Sequence, residues 1–261
     1  MKRRTLLKAS MAVPFTGLLT PIFTLQAGEL TAPMPFATGG SKKMLYDVRQ
    51  RPQALLWHGK VFIGYKGGGT EADKTGRRER VAPTHASLVK YDPDSRAFSQ
   101  PITFGDQTSD HHDCPVLWVD NEDHLHFLYK CHNEPGNHLV CKKPGTMGAS
   151  EKDWKTLPDI SEKVSYPTMF ALPGGRHLVY FREAGHSSSW SYRITADHGQ
   201  TWTGPENSVT NLDIYNHPEW SSYQARILSP DKKTLYVVFT DYDDVKSNDP
   251  ERLYNPRYDM P

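Results

Sequence analysis

The sequence is short of net charge, of cysteine, of helical periodicity and of long apolar runs, and each shortage removes a class of protein. Lys and Arg number 31 against 30 Asp and Glu, a formal net charge of +1. A chain without a global field is not built to hold nucleic acid or an anionic membrane surface, which leaves only local basic patches. The cysteines are three, Cys114, Cys131 and Cys141. An odd count excludes a complete disulfide framework and is compatible with one bridge plus a free thiol in an oxidising compartment. The apolar stretch near the start is broken by Pro14 and Pro21 and falls short of the ~20 residues of a spanning helix, which argues against stable membrane anchoring. Apolar residues nowhere keep a helical spacing, so helix bundles are excluded as well.

Turn and strand formers are present in their place. The 261 residues, 37% hydrophobic, suffice for one sizeable core or two small ones. Thirteen Tyr, six Trp and ten Phe stand beside 19 Gly and 20 Pro. Aromatics fit a pleated surface and Gly and Pro punctuate turns, so the composition favours strands.

Residues 1–30, MKRRTLLKASMAVPFTGLLTPIFTLQAGEL, run from a charged start through an apolar middle to a polar exit. That is the layout of an export signal, with a cleavage point expected at Ala27 despite Leu25 being a poor third-from-cut residue. Arg3-Arg4 in KRRTLLK makes the signal twin-arginine-like, with the Sec route as the alternative, so Tat or Sec machinery is the expected export partner. The expected organisation is residues 1–27 as signal and 28–261 as the folded domain, in a bacterial periplasm or outside the cell.

Residues 53–65, QALLWHGKVFIGY, read as strand, tight turn at His58-Gly59, strand. The same pattern returns as PVLWVDNEDHLHFLY (115–129), PTMFALPGGRHLVYF (167–181) and YQARILSPDKKTLYVVF (223–239). From Tyr65 to Tyr129, Phe181 and Phe239 the steps are 64, 52 and 58 residues. Each of the first three hairpins is followed by another strand pair: HASLVKYDPDSRAFSQP, HLVCKKPGTMGASEKDWKTL and WSYRITADHGQTWTGPE. Four strands per repeat at this period predict an all-β fold, a β-propeller of four-stranded antiparallel blades. A two-sheet sandwich has short strands too, but does not predict similar hairpins at a steady period.

ITADHGQTW adds a specific signal, because Thr195, Asp197, Gly199, Thr201 and Trp202 fit the Asp-box pattern of sialidase-type propellers. Its expected role is structural: Asp197 accepts turn amides, Gly199 takes a positive φ, and Trp202 packs between sheets. The hairpins account for about four blades, the outer pair of the last being absent. So few would leave a bare sheet edge, and the chain is expected to be the front part of a longer, C-terminally incomplete propeller.

DHHDCPVLWVDNEDHLHFLYKCHN (110–133), SYPTMFALPGGRHLVYFRE (165–183) and the Asp box together resemble the BNR-repeat propellers that include the ulvan lyases. The resemblance covers about residues 45–240. It implies a seven-bladed enzyme that cleaves a sulfated, uronic-acid-containing algal polysaccharide by β-elimination. The family motif of one His in an Asp-His-His corner, a second after the next hairpin, a Tyr-Pro tyrosine and a hairpin-closing Arg falls here on His112, His132, Tyr166 and Arg182. The two histidines are 20 residues apart, and the tyrosine and arginine 16.

Elimination beside a carboxylate needs that charge offset, which suits the planar fork of Arg182. A base must take the C5 proton and an acid must protonate the departing oxygen. Tyr166 is the candidate acid and a further candidate base, with His112 and His132 assisting proton transfer or holding the carboxylate. Arg182, His111 and Trp190 are the substrate-binding candidates, although His111 also reads as a structural loop residue. Tyr166 precedes Pro167, which biases its backbone to extended conformations. Taken singly, each of these residues is as readily core or blade bridge.

No cofactor is required by this scheme. Cys114, Cys131, His132, His138 and Cys141 crowd 28 residues, but they lack close ligand-pair spacing, and Cys131 and His132 as strand neighbours point to opposite faces. A zinc or calcium ion, if bound, is expected to be structural, and no catalytic metal is expected. Two other functions stay open. A sialidase-like hydrolase would use an arginine cluster, of which Arg51 resembles the first member, with a Tyr/Glu nucleophile pair. A non-catalytic carbohydrate-binding propeller would stack sugars on Trp57, Trp118, Trp190 and Trp220.

Overall fold

The computed structural model describes residues 34, 50–67, 84–108, 110, 112–183, 190–205 and 220–243. The proposed export signal and His111 lie outside them. All the strands belong to one compact unit, Pro35–Pro261.

The described residues form successive antiparallel sheets and no α-helix. In the first blade β1 (Ala54–Trp57), β2 (Lys60–Gly67) and β3 (Thr84–Asp92) pair in order, and the outer edge of β3 is shared by β4 (Ala97–Phe98) and β5 (Ile102–Thr108). The second blade orders β6 (Val116–Val119), β7 (Leu125–Tyr129), β9 (Asn137–Cys141) and β10 (Trp154–Thr156) from one edge to the other. Between β7 and β9 the chain makes a short excursion: β8 (His132–Glu134) leaves its own blade and pairs with β11 (Val164–Ala171) of the third. There β11 continues to β12 (His177–Arg182) and β13 (Trp190–Thr195). The fourth blade is represented by β14 (Trp220–Leu228) and β15 (Leu235–Asp243). The four hairpins expected from the repeats are β1–β2, β6–β7, β11–β12 and β14–β15, so the propeller reading holds.

Both faces of a blade are buried, which explains why its strands read as near-continuous apolar runs. In β7, Leu125, Phe127 and Tyr129 join a core shared with Phe62, Leu88 and Phe104 of the first blade. Leu128 faces the other way, into a core with Val164, Val179 and Phe181 of the third. The alternation repeats in β12, where Tyr180 faces Leu235 and Val237 of the fourth blade. On β14 and β15 the opposite face, with Ile227 (68% exposed), Tyr236 and Val238, is open.

The Asp box behaves as its residue types require. Asp197 accepts the Thr201 amide at 2.9 Å and the Thr201 hydroxyl at 2.6 Å, while the Gly199 amide donates to the Thr195 hydroxyl at 2.9 Å. Gly199 has φ +81° and Trp202 packs on the second core. Among the described residues, the strand pair expected over WSYRITADHGQTWTGPE consists of β13 and an antiparallel bridge between Ile194 and Thr203. Cys114, Cys131 and Cys141 are buried free thiols, without the bridge that an oxidising compartment would allow.

Candidate functional site

The first strand of each blade lies nearest a propeller axis, and the candidate residues gather at the inner strands of the second and third blades. The segment before β1 laces those strands together. The Arg51 amide donates to the Pro167 carbonyl at 3.1 Å, the Met169 amide to the Arg51 carbonyl at 2.8 Å, and the Leu117 amide to the Pro52 carbonyl at 2.8 Å. Gln50, buried, donates its side-chain amide to the His112 carbonyl. Four backbone and side-chain bonds thus fix the floor on which the corner at 110–113 rests.

Asp110 is the centre of that corner. Its Oδ1 lies 2.6 Å from His112 Nδ1 and its Oδ2 lies 2.5 Å from His132 Nδ1. The His112 amide also donates to Oδ1 at 2.9 Å, and buried Lys66 donates to the Asp110 carbonyl. The two imidazoles stack, centroids 3.9 Å apart and planes 26° from parallel. Two imidazolium charges at that separation would repel by about 4 kcal/mol at an effective dielectric of about 20, so the anion between them governs what the pair can carry. Burial pushes the Asp110 carboxyl up, but the hydrogen bonds from His112 and His132 outweigh it and hold it well below its ordinary value. Nearby, Asp113 accepts from the Thr108 hydroxyl at 2.9 Å, and burial raises it.

Tyr166 stands against this pair, its ring centroid 5.8 Å from His112 and 6.2 Å from His132. The guanidinium carbon of Arg182 sits 4.7 Å from the Tyr166 centroid, in cation–π range. Trp190 stacks behind Tyr166 at 6.5 Å, and Arg226 lies 4.8 Å over Trp190 and donates to the Tyr166 carbonyl. His112, His132, Tyr166 and Arg182 are therefore brought together from three places in the chain. They are not equally accessible: the His112 and His132 side chains are 15% and 18% exposed, whereas Tyr166 and Arg182 are 0%. The imidazoles form the mouth, and the phenol and guanidinium lie beneath.

Two expectations need correction. Tyr166 is not extended; it has φ +55°, and the register of β11 against β12 shifts between Ser165 and Thr168. β8 pairs on one side of this point and β12 on the other, and the bulge turns the tyrosine toward the corner. A non-glycine residue held at such a φ costs of order 1–3 kcal/mol, a strain commonly met at functional sites. Trp190, 2% exposed, has no open face for a sugar and supports Tyr166 instead; Trp57 and Trp118 are likewise buried. The Trp220 side chain lies outside the described residues. The Cys/His residues that crowd the sequence go to separate places. Cys131 is in the second core, and His138 Nε2 is 3.0 Å from His126 Nδ1, in a separate buried network.

Of the described residues, only Asp110, His112 and His132 bring three metal-ligating atoms within 4.8 Å. Imidazole lone pairs lie in the ring plane, and two near-parallel stacked rings direct them along separate lines rather than to one point. The geometry suits hydrogen bonding to a shared carboxylate better than coordination of one ion.

Sequence reasoning did not single out Asp110 or Gln50. Asp110 was legible as part of the Asp-His-His corner, but no spacing announces that a carboxylate will bridge residues 112 and 132.

The fold and its hydrogen-bonded Asp-box turn define an Asp-box β-propeller with a His/Tyr/Arg cluster on the inner strands of adjacent blades. The chain belongs to the BNR repeat-containing family, whose model matches residues 82–259. Among curated proteins it is similar to an ulvan lyase of Alteromonas sp. (strain LOR), 24% identical over 68% of this chain and 38% of that protein. It is also similar to the Ulvan Lyase-PL25 of Pseudoalteromonas sp. (strain PLSV), 27% identical over 47% of this chain and 28% of the relative. The chain thus spans well under half the length of these relatives. A solved ulvan lyase, bound to a GlcA(1-4)Rha3S repeat, superposes with a TM-score of 0.61 at 19% identity over 80% of this chain and 48% of that one, a likeness of fold. No helix of the described residues is long and apolar enough to cross a membrane.

Proposed function

We propose that this chain carries a polysaccharide lyase site that cleaves a uronic-acid-containing, sulfated glycan of the ulvan type by β-elimination, after export to the periplasm or beyond. The observation that carries this reading is the convergence of two imidazoles, a phenol and a guanidinium within 6.2 Å centroid distances of the Tyr166 ring. In the reaction a base removes the C5 proton, its electron pair forms the C4–C5 double bond, and the C4–oxygen bond breaks. The departing oxygen takes a proton from an acid. His112 and His132, at the mouth, meet the sugar first. Arg182 supplies positive potential beneath Tyr166, which offsets the negative charge that develops at the uronate. Contact of a sugar with the phenol itself requires the side chains over it to move. The similarity to ulvan lyases supports the substrate class.

One observation favours a second reading. Tyr166 and Arg182 are both fully buried, as they would be in a binding propeller that retains the cluster as packing. Incubation with uronate-containing polysaccharides separates the readings. A lyase produces the ultraviolet absorbance of an unsaturated uronate, a hydrolase only reducing ends, and a binding module neither. Replacement of His132 or Tyr166 is expected to abolish the absorbance while leaving glycan binding largely intact. Full activity in both variants refutes the assignment.

A further inference from the structure

We propose that Asp110 is a positioning residue that fixes the tautomer and orientation of both histidines at once, a role that rests on the lyase reading for its consequence but not for its test. Each oxygen of one carboxylate faces one Nδ1, at 2.6 Å for His112 and 2.5 Å for His132. An ionised carboxylate only accepts, so both Nδ1 atoms must donate. A neutral imidazole has one N–H, and both rings therefore carry their lone pair on Nε2, the form a base needs. The stack of the rings at 3.9 Å follows from the shared anchor, because the two oxygens of a carboxylate are close together.

The surroundings keep Asp110 in this state. Lys66 donates to its carbonyl and the His112 amide to its Oδ1, while its own carboxyl is held ionised by the two rings. Among the described residues, the other titratable groups near the pair are Lys66 on β2, Asp113 on the same corner, Tyr166 on β11 and Arg182 on β12. A single side chain thus sets two proton-transfer groups, and its removal disturbs both.

Asp110→Asn tests this with little change of shape. Its amide oxygen accepts from one Nδ1, but its NH2 donates toward the other, which must become an acceptor and move its proton to Nε2. Nitrogen-15 NMR of the imidazoles, read without substrate, is expected to show Nδ1–H on both rings in the native protein and on one in the variant. With a uronate polysaccharide, kcat is expected to fall by about 100-fold or more with KM changed by less than about threefold, as for loss of a tautomer-fixing carboxylate. Asp110→Glu keeps the charge and is expected to recover turnover at least about tenfold over the Asn variant.

Native tautomers in Asp110→Asn overturn the proposal whatever the activity, as does a Glu variant no better than the Asn. If the Asn variant does not fold, Asp110→Ala decides: loss of Nδ1–H from at least one ring supports the role, and Nδ1–H retained on both rings overturns it. If the native protein forms no unsaturated uronate while the tautomers shift as expected, the lyase reading fails and the positioning role stands.

Discussion

Acid should loosen the joint between the second and third blades before it reaches any other part of the fold. His126 lies fully buried in β7, its Nε2 3.1 Å from Asp120 Oδ2 and its Nδ1 3.0 Å from His138 Nε2. His198 of the Asp box approaches the same Asp120 oxygen at 3.1 Å through Nδ1 and Glu122 at 3.3 Å through Nε2. His177 of β12 reaches the Val119 carbonyl at 3.2 Å. Burial drives His138 well below the ordinary histidine value and lowers His126 and His177 as well, the last two partly offset by Asp120. These rings are neutral when folded but protonate near pH 6.5 when unfolded, so the unfolded state binds more protons as pH falls and stability is lost below that value.

Between pH 7.5 and 5.5 a histidine that stays neutral in the fold forfeits about 1.4 kcal/mol, and three such rings about 4 kcal/mol. The second figure is an upper bound, since Asp120 pulls His126 and His177 the other way. Against a typical total of about 5–15 kcal/mol this is a large share. The Asp120 carboxyl adds nothing in this window. Burial raises it, but hydrogen bonds from His126 and the His124 amide hold it below its ordinary value, so its stabilisation is lost only at much lower pH. Urea unfolding followed by tryptophan fluorescence at the two pH values, in the native protein and in His138→Gln, measures the effect. The variant is expected to be less stable at pH 7.5 but to lose about 1.4 kcal/mol less on acidification. Equal losses in both proteins, or none in the native one, refute the account.

Other expectations are narrower. Phe127→Ala removes a ring that packs tilted against Phe104 at 4.5 Å and belongs to the core of the first two blades; it should cost about 3–5 kcal/mol by chemical denaturation. Gly199→Ala places a Cβ 2.6 Å from His138 Cε1 at a φ of +81°, and combined strain and overpacking should lower stability by about 2–4 kcal/mol. Tyr166→Phe should keep the fold within about 1.5 kcal/mol in thermal unfolding yet remove elimination of a uronate substrate. Dialysis against a strong chelator should leave that elimination intact, because stacked rings anchored on one carboxylate are poorly aimed at a single ion.

The hairpins were legible because the second and third blades bury both faces, which makes Leu125 to Tyr129 and Leu178 to Phe181 apolar runs bounded by polar turns. The Asp box was legible because each of its residue types answers one geometric demand. The convergence of His112, His132, Tyr166 and Arg182 was visible only through resemblance, since blade-to-blade contact leaves no periodicity in a single sequence. Accessibility was not visible at all. Trp190 has the chemistry of a sugar platform, and only packing against Tyr166 and Arg226 reveals it as a support. Asp110 was read past for the opposite reason: an acidic residue in a loop is ordinarily solvated, and its two partners lie 2 and 22 residues away.

Two departures from regular strand pairing build the cluster, and both sit on β11. β8 abandons its own blade to pair Ser165 with His132, which carries that histidine across the boundary. One residue later the Tyr166–Pro167 bulge shifts the register and turns the phenol toward the same boundary. Pro167 has no amide to give to the ladder and its carbonyl accepts the Arg51 amide, so the proline makes the irregularity tolerable where an ordinary residue would leave a donor to satisfy. If the bulge is what aims Tyr166, Pro167→Ala should do more than change stability. Freed from the ring, residues 166–168 can recover a regular pairing with β12, the tyrosine then points to the other face, and its contact with the imidazoles is lost. A ring-current-shifted His112 or His132 proton signal that survives in Pro167→Ala would show that packing by Trp190 and Arg182, rather than the bulge, holds the phenol in place.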